Sequence, residues 1–326
     1  MIAGALFVIV ISVVGVRLLH YSFAQTLAGS SEAESGVLSG GTTIISDAAA
    51  SGGRAIQFGS PPPPIPAMPL GLFEPNNSGN YTFPVTPTYA MQYYGWYEGF
   101  QTADAQTAWS NGTEMFAELQ SCGNPCDATT NIPLVDITSG KYDTYLTDYA
   151  NAVKAFNHPV LLTFDHEMNG NWYPWGDTEV TPAQWIAAWQ HVTSLISSIA
   201  PNASWVWALN VKVDGSNMSD YWPGNGYSNP HVNMVGLDGY LSQSGDSWNS
   251  VFAPNVTRIE AASGNAYPFM VTETGVTSAD TNSLSQIDDL INGARSVNAK
   301  AVMYFDSNQW ALTSGQQTEI INDIKP

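Results

Sequence analysis

From Pro69 to the C-terminus, short and largely apolar runs alternate with amphipathic stretches. The runs are Leu70–Phe73, Met91–Tyr94, Met115–Leu119, Val160–Phe164, Trp205–Leu209, Val232–Leu237, Phe269–Thr272 and Ala301–Phe305. Their near-continuous apolar character predicts strands buried on both faces. Between them, apolar residues return at helical spacing. Tyr142, Tyr145, Leu146, Tyr149, Val153 and Phe156 form one stripe, and Ile287, Leu290, Ile291, Ala294 and Val297 another. Thr181 and Pro182 make an N-cap and first-turn pair, followed by a buried stripe of Trp185, Ile186, Trp189, Val192 and Ile196. A weaker final helix is predicted at about Gly315–Ile324. Eight strands with helices between them predict the α/β class and a (β/α)8 TIM barrel, which takes about 250 residues. A doubly wound sheet would normally carry a Gly-rich turn after its first strand, and Leu70-Gly71-Leu72-Phe73-Glu74-Pro75 has none. No internal repeat is visible.

The chain has 326 residues, so a short segment precedes the barrel domain, which is expected over 69–326. Ile2 to Val16 carries no charge and has about the length of a signal-peptide core. Ser22-Phe23-Ala24 offers small residues for cleavage after Ala24. No Lys or Arg precedes the apolar run, and Arg17 follows it, so an uncleaved anchor over residues 1–24 is the alternative. Either reading puts the rest of the chain outside the cytoplasm, secreted or held at the outer face of a membrane. Residues 25–60 are rich in Ser, Gly and Ala. Within them, Glu32-Ala33-Glu34-Ser35 and the run from Ala50 to Gly59 resemble the opening of carbohydrate-binding modules of families 6 and 35. Those modules are several times longer, so a leftover or linker-like β-hairpin is the preferred reading. The proline run Pro61-Pro62-Pro63-Pro64-Ile65-Pro66 predicts an extended, semi-rigid linker over 61–68.

Charge narrows the partners. Nine Lys and Arg against 28 Asp and Glu give a net charge of −19. Phosphate recognition needs clustered cations, so nucleic acid and anionic membrane are poor partners. A neutral polysaccharide remains compatible, and 11 Trp and 15 Tyr suit one. A monomer is expected. The two cysteines, Cys122 and Cys126, have no His or further Cys nearby to complete a metal site. In an exported chain they read as a small disulfide stapling a loop, with two free thiols as the alternative.

In a barrel, catalytic residues sit at the C-terminal ends of strands. The fourth predicted strand runs into Asp165-His166-Glu167-Met168-Asn169-Gly170-Asn171-Trp172, and the seventh into Glu273-Thr274-Gly275. Each places a Glu after an apolar run and before a polar, Gly-containing loop. Strands four and seven face each other across a barrel mouth, so the two side chains can converge on one bond. Glycoside hydrolysis needs such a pair: one carboxyl protonates the leaving oxygen and the other captures or stabilises the oxocarbenium centre. A separation of ~5–5.5 Å gives retention and ~6.5–9.5 Å inversion. This chemistry calls for no metal or organic cofactor. The ionised partner wants hydrogen-bond donors, and Tyr240 closes the sixth strand.

His166-Glu167-Met168-Asn169-Gly170-Asn171-Trp172-Tyr173-Pro174-Trp175-Gly176 resembles the acid/base motif of glycoside hydrolase family 26, the β-mannanase family of the retaining (β/α)8 clan. Thr272-Glu273-Thr274-Gly275 resembles its nucleophile motif. Val235-Gly236-Leu237-Asp238-Gly239-Tyr240 and Met303-Tyr304-Phe305-Asp306, with Trp310, resemble its sixth- and eighth-strand segments. The resemblance implies Glu167 as acid/base and Glu273 as nucleophile. It also implies His166 and Trp172 lining the subsite at the cleaved bond, Asp238 and Tyr240 supporting sugar and nucleophile, and Trp310 as a stacking floor. Trp175, on the same loop, is a further candidate sugar contact. The implied activity is endo-acting cleavage of a β-glycan: β-1,4-mannan first, then mixed-linkage β-glucan or β-1,3-xylan, with a non-catalytic carbohydrate-binding barrel as the alternative from another class. The family often has Arg three residues before the His, where this chain has Thr163, and this leaves the substrate open.

Rival readings carry less. His166 has no second His four residues on, which excludes a zinc-protease pattern. Asp165 is a rival acid, but side chains alternate along a strand, so it and His166 cannot both face the same neighbour. Trp185 and Trp189 belong to a helix stripe and read as core. Glu74, Glu98 and Glu118 follow the first three strands and carry no decisive signal, nor do His20 and His158.

Overall fold

The computed structural model describes residues 42–58, 67–75, 81–211 and 218–326. The segment 1–24, the Glu32–Ser35 stretch and the proline run 61–66 lie outside them. The chain divides into two units, Met1–Ile65 and Pro66–Pro326. In the first, β1 (Thr42–Ser46) and β2 (Arg54–Phe58) pair antiparallel, Thr42 opposite Phe58 and Ser46 opposite Arg54, as a two-stranded hairpin.

The second unit holds eight parallel strands: β3 (Leu70–Phe73), β4 (Tyr89–Tyr94), β5 (Glu114–Leu119), β6 (Val160–Phe164), β7 (Ala203–Asn210), β8 (Met234–Leu241), β9 (Phe269–Val276) and β10 (Val302–Phe305). They close in the order β10-β3-β4-β5-β6-β7-β8-β9, a (β/α)8 TIM barrel. Several strands run beyond their apolar cores. β8 reaches Leu241 and β9 reaches Val276, so Glu273 lies inside its strand rather than just past it. The ladder continues because the polar residues at the mouth keep their backbone pairing, Asp238 with Glu273 and Tyr240 with Gly275.

Helices cover the outside: α1 (Thr102–Ser110), α2 (Leu134–Thr138), α3 (Asp143–Phe156), α4 (Pro182–Ile199), α5 (Trp248–Val251), α6 (Ala253–Ala262), α7 (Ser283–Ser296) and α8 (Ser314–Asp323). Among the described residues no α-helix joins β3 to β4, and only a short 3-10 turn, Met218–Tyr221, lies between β7 and β8. The longest helix, α4, starts where its sequence says. Thr181 and Gln184 form a reciprocal capping box with Pro182 in the first turn, an arrangement that contributes about 1 kcal/mol. Asn157 in the left-handed conformation (φ 59°) ends α3.

Strand alternation sorts the core into two shells. Met91, Phe116, Leu161, Val206, Met270 and Met303 point inward and fill the barrel floor. Their neighbours, such as Ala90, Leu162, Trp207 and Val271, point outward against the helix stripes, with Trp185 and Trp189 fully buried. The filled floor leaves only the C-terminal mouth open.

Candidate active site

Directly above the floor the inward positions become polar. β4 supplies Tyr93, β5 Glu118, β6 Thr163, β7 Asn210, β8 Asp238 and Tyr240, and β9 Thr272 and Glu273. One register change matters. Leu237 pairs with Val271 but Asp238 pairs with Glu273, so β9 carries one extra residue, Thr272. The same jump appears against β10, where Val302 pairs with Val271 and Tyr304 with Thr274. This β-bulge breaks the alternation. Thr272 packs inward against Gly236, and Glu273, the next residue, also faces the mouth, where Tyr93 and Tyr240 donate their hydroxyls to its carboxylate. Without the bulge, one of the two would point at the helices.

Glu167 is aimed differently. The chain leaves β6 through Asp165 (φ 48°) and Glu167 (φ 52°), two non-glycine residues in the left-handed region. Such backbone is costly and needs anchoring. Asp165 is anchored by the backbone N–H and hydroxyl of Ser121, both at 2.7 Å, and Glu167 N–H donates to Ala208 O at 3.1 Å. Asn169 clasps the end of β7, donating to Asn210 O at 2.8 Å and accepting from Asn210 N–H at 2.9 Å. That holds the Asn210 amide 2.6 Å from Glu167 Oε1, while Trp172 Nε1–H donates to Oε2 at 2.6 Å. Gly170 is required here: a Cβ on it would stand 2.4 Å from the Trp172 ring.

Both glutamates open onto one cavity of about 450 Å³ at the barrel mouth. Rings form most of its wall: Phe73, Tyr93, Trp172, Tyr173, Tyr240, Phe305 and Trp310. Phe73 stacks on Phe305 at 4.7 Å and Tyr240 lies against Trp310 at 4.0 Å. Gln120, Asn210 and Asn308 add amides. An apolar, ring-faced wall with a few directed polar groups fits a sugar, whose C–H faces pack on rings and whose hydroxyls take amide and carboxylate partners.

Three predicted contacts sit elsewhere. Trp175 is fully buried, stacks on Tyr173 at 4.6 Å and donates to His166 O at 2.7 Å. It backs the site and does not reach the cavity, because its indole N–H is spent on the backbone that carries Glu167. His166 and Asp238 are likewise buried beneath the cavity, not on its surface. His166 Nδ1 lies 2.7 Å from Glu118 and Nε2 lies 3.1 Å from the Tyr173 hydroxyl. Asp165, the rival acid, is turned away and tied to β5. Among the described residues, ligand atoms of His166, Asp238 and Glu273 converge within 4.8 Å, a geometry that could hold a metal ion. The imidazole nitrogens and Glu273 oxygens there are already engaged, by Glu118, Tyr173, Tyr93 and Tyr240.

Electrostatics follow from burial. It raises the Glu167 carboxyl above the ordinary range, opposed by the His166 charge and the Asn210 and Trp172 donors. Burial and then the Glu167 charge push Glu273 up to about 8. Two carboxyls in one dry pocket cannot both ionise freely at neutral pH, so their titration belongs to the pair. Burial alone would lower His166, but Glu118 outweighs it and the imidazole is pushed up to about 10, leaving a cation beneath the carboxylates. Asp165 is pushed up to about 7 by burial.

The sequence reading missed Tyr93, Tyr173 and Asn210, and it named Glu118 only to set it aside. Tyr173 was within reach, as part of the loop motif. The others are single polar residues on apolar strands, and only strand order shows which carboxyl or imidazole each one faces.

Residues 139–316, more than half of the chain, match the family model Glycosyl hydrolase family 26. Endoglucanase H of Acetivibrio thermocellus is 29% identical over 199 residues, 56% of this chain and 22% of that protein. The chain thus spans about a fifth of that relative's length. Among solved structures, an endo-β-1,4-mannanase double mutant from Cellulomonas fimi superposes with a TM-score of 0.60 at 13% identity, covering 79% of this chain and 70% of that one. The YdhT protein from Bacillus subtilis gives 0.55 at 17%, covering 78% and 84%. GH26C from Muricauda sp. gives 0.58 at 14%, covering 79% and 86%. At these identities the superpositions speak for the fold.

Proposed function

The chain belongs to glycosyl hydrolase family 26 and is a glycoside hydrolase, and from that premise we propose that it is a secreted, endo-acting, retaining enzyme of a β-linked polysaccharide, β-1,4-mannan first. One observation carries the reading: two buried glutamates on opposed strands, each held by its own donors, open onto a single ring-walled cavity. Glu273 is the nucleophile. Its position inside the bulged strand puts it at the base of the cavity, and two phenol hydroxyls favour its ionised form. Glu167 is the acid/base. It stands beside the half-exposed Trp172, where a leaving sugar departs.

In the first step a Glu273 oxygen attacks the anomeric carbon while the bond to the glycosidic oxygen breaks and Glu167 delivers its proton to that oxygen. In the second, Glu167 takes a proton from water, whose oxygen displaces Glu273 from the same carbon with net retention. Secretion is supported by the Cys122–Cys126 disulfide, with Cα atoms 5.1 Å apart. Mannan is supported by the mannanases that share the barrel. Mixed-linkage β-glucan is the second reading, favoured by the relative named as an endoglucanase.

Reducing-sugar release from galactomannan, lichenan and β-1,3-xylan tests this, with NMR of the first-formed anomer reporting retention. Glu273→Ala is expected to lose roughly three orders of magnitude or more in kcat. Turnover that survives it would remove the nucleophile assignment, and no release from any glycan would leave a binding barrel.

A further inference from the structure

Past the end of β4 the chain runs Gly95-Trp96-Tyr97-Glu98-Gly99. Trp96 is buried and its backbone N–H donates to Cys122 O at 2.5 Å. Gly95 lies so close to the disulfide loop that a Cβ would stand 3.0 Å from that same carbonyl oxygen. The loop is therefore fixed to the rim of the mouth. Tyr93, four residues before Tyr97, lines the cavity, and so does Gln120, two residues before Cys122. Four residues of chain span at most about 14 Å, so the Tyr97 backbone lies within that distance of a residue that lines the cavity.

Tyr97 is anomalous in two ways. Its φ is 76°, a left-handed conformation that favours glycine and penalises a bulky side chain. Gly99 next door adopts φ 68° with a residue suited to it. Burial does not offset the strain, because Tyr97 is 66% exposed. A hydrogen bond with the Tyr142 side chain and ring edges from Tyr142 at 6.4 Å and Tyr145 at 6.1 Å hold the ring in place while leaving it open to solvent. A large flat ring kept in strained backbone, exposed, on the face where a polysaccharide enters, matches what a sugar needs from a surface.

We propose that Tyr97 is a stacking platform for a pyranose unit of the bound chain, outside the cavity where cleavage occurs. The proposal rests on the glycosidase reading of that cavity. It makes the enzyme prefer long chains, since a short oligosaccharide filling the cavity does not reach the rim.

The test uses the full chain and the Tyr97→Gly and Tyr97→Phe variants. Substrates are tri- and hexasaccharides of whichever β-glycan the wild type cleaves, and the readout is the ratio of kcat/KM for hexamer over trimer. Tyr97→Gly is expected to cut that ratio roughly fivefold, through KM, the loss of about one ring contact. Its Tm should change little, because backbone relief at φ 76° offsets the lost Tyr142 contact and the added chain entropy of glycine. Tyr97→Phe should keep the wild-type ratio. An unchanged ratio in Tyr97→Gly overturns the platform. So does a lower Tm with both substrates slowed alike, which marks a structural tyrosine. If the wild type cleaves no glycan, the glycosidase reading fails first and the platform with it; an active wild type with an unaltered length preference fails the platform alone.

Discussion

Glu118→Gln probes the charge hidden under the site while keeping the shape of the side chain. Glu118 and His166 are both essentially solvent-free and 2.7 Å apart. Removing one partner of a buried pair costs about 3–5 kcal/mol. For a domain of this size each kcal/mol moves Tm by ~2–4 °C, so Tm should fall by roughly 6–20 °C near pH 6.5. The pH dependence is the sharper signature. His166 is pushed up to about 10 in the folded protein, against ~6.5 in an unfolded chain. A raised histidine contributes its full stabilisation below the unfolded value and loses it as pH rises through the folded one. In Glu118→Gln, burial meets less opposition and favours the neutral ring. The Tm gap between wild type and variant should therefore be widest near pH 6 to 6.5 and narrow steadily toward pH 10. Asp165, pushed up to about 7, feels burial first and His166 last, so most of its titration is common to both proteins, whereas Glu273, pushed up to about 8, feels Glu118 directly and adds a step near that pH. Thermal unfolding followed by circular dichroism at half-unit steps reads the gap. A Tm gap below about 3 °C, or one flat across the window, would mean that no buried charge pair exists and that His166 is neutral.

Two further outcomes follow from the same electrostatics and packing. Burial raises both glutamates, so the acid limb of kcat/KM against pH should lie above the ordinary glutamate value of ~4.3. In Glu118→Gln the limb set by Glu273 should move lower, because the Glu118 charge raises that carboxyl by more than the His166 charge lowers it. A limb at the ordinary value in the wild type would show a wet pocket. Gly275→Ala puts a Cβ 2.7 Å from Trp310 Cβ and Cγ. Overpacking of this kind costs about 1–3 kcal/mol and should shift Trp310 off Tyr240, raising KM more than it lowers kcat. Unchanged KM in steady-state assays would remove Trp310 from the binding wall.

Much of the architecture was legible because it rests on local pattern. The apolar runs marked all eight strands, and the Thr181-Pro182 start and the Tyr142–Phe156 stripe marked α4 and α3 within a residue or two. The two glutamates were legible because a carboxylate after an apolar run is chemically out of place. Strand ends were less legible: β9 runs to Val276, four residues past its apolar core, because its neighbours keep bonding to it. Trp172 and Trp175 look alike in sequence, three residues apart on one loop. One is half exposed in the cavity and the other has no exposure, and only the path of the loop around Gly170 separates them.

The sequence by itself determined the barrel class and the positions of most elements, and singled out the two candidate carboxyls, because hydrophobic periodicity and residue chemistry are properties of neighbouring positions. What only the tertiary structure decided is where those carboxyls point and what each one feels. The extra residue at Thr272 turns Glu273 into the mouth, left-handed backbone at Asp165 and Glu167 turns the Glu167 carboxyl toward it, and Tyr93, Asn210 and Glu118 arrive from three other strands. Each depends on contacts between residues far apart in the chain, brought together only when the sheet closes.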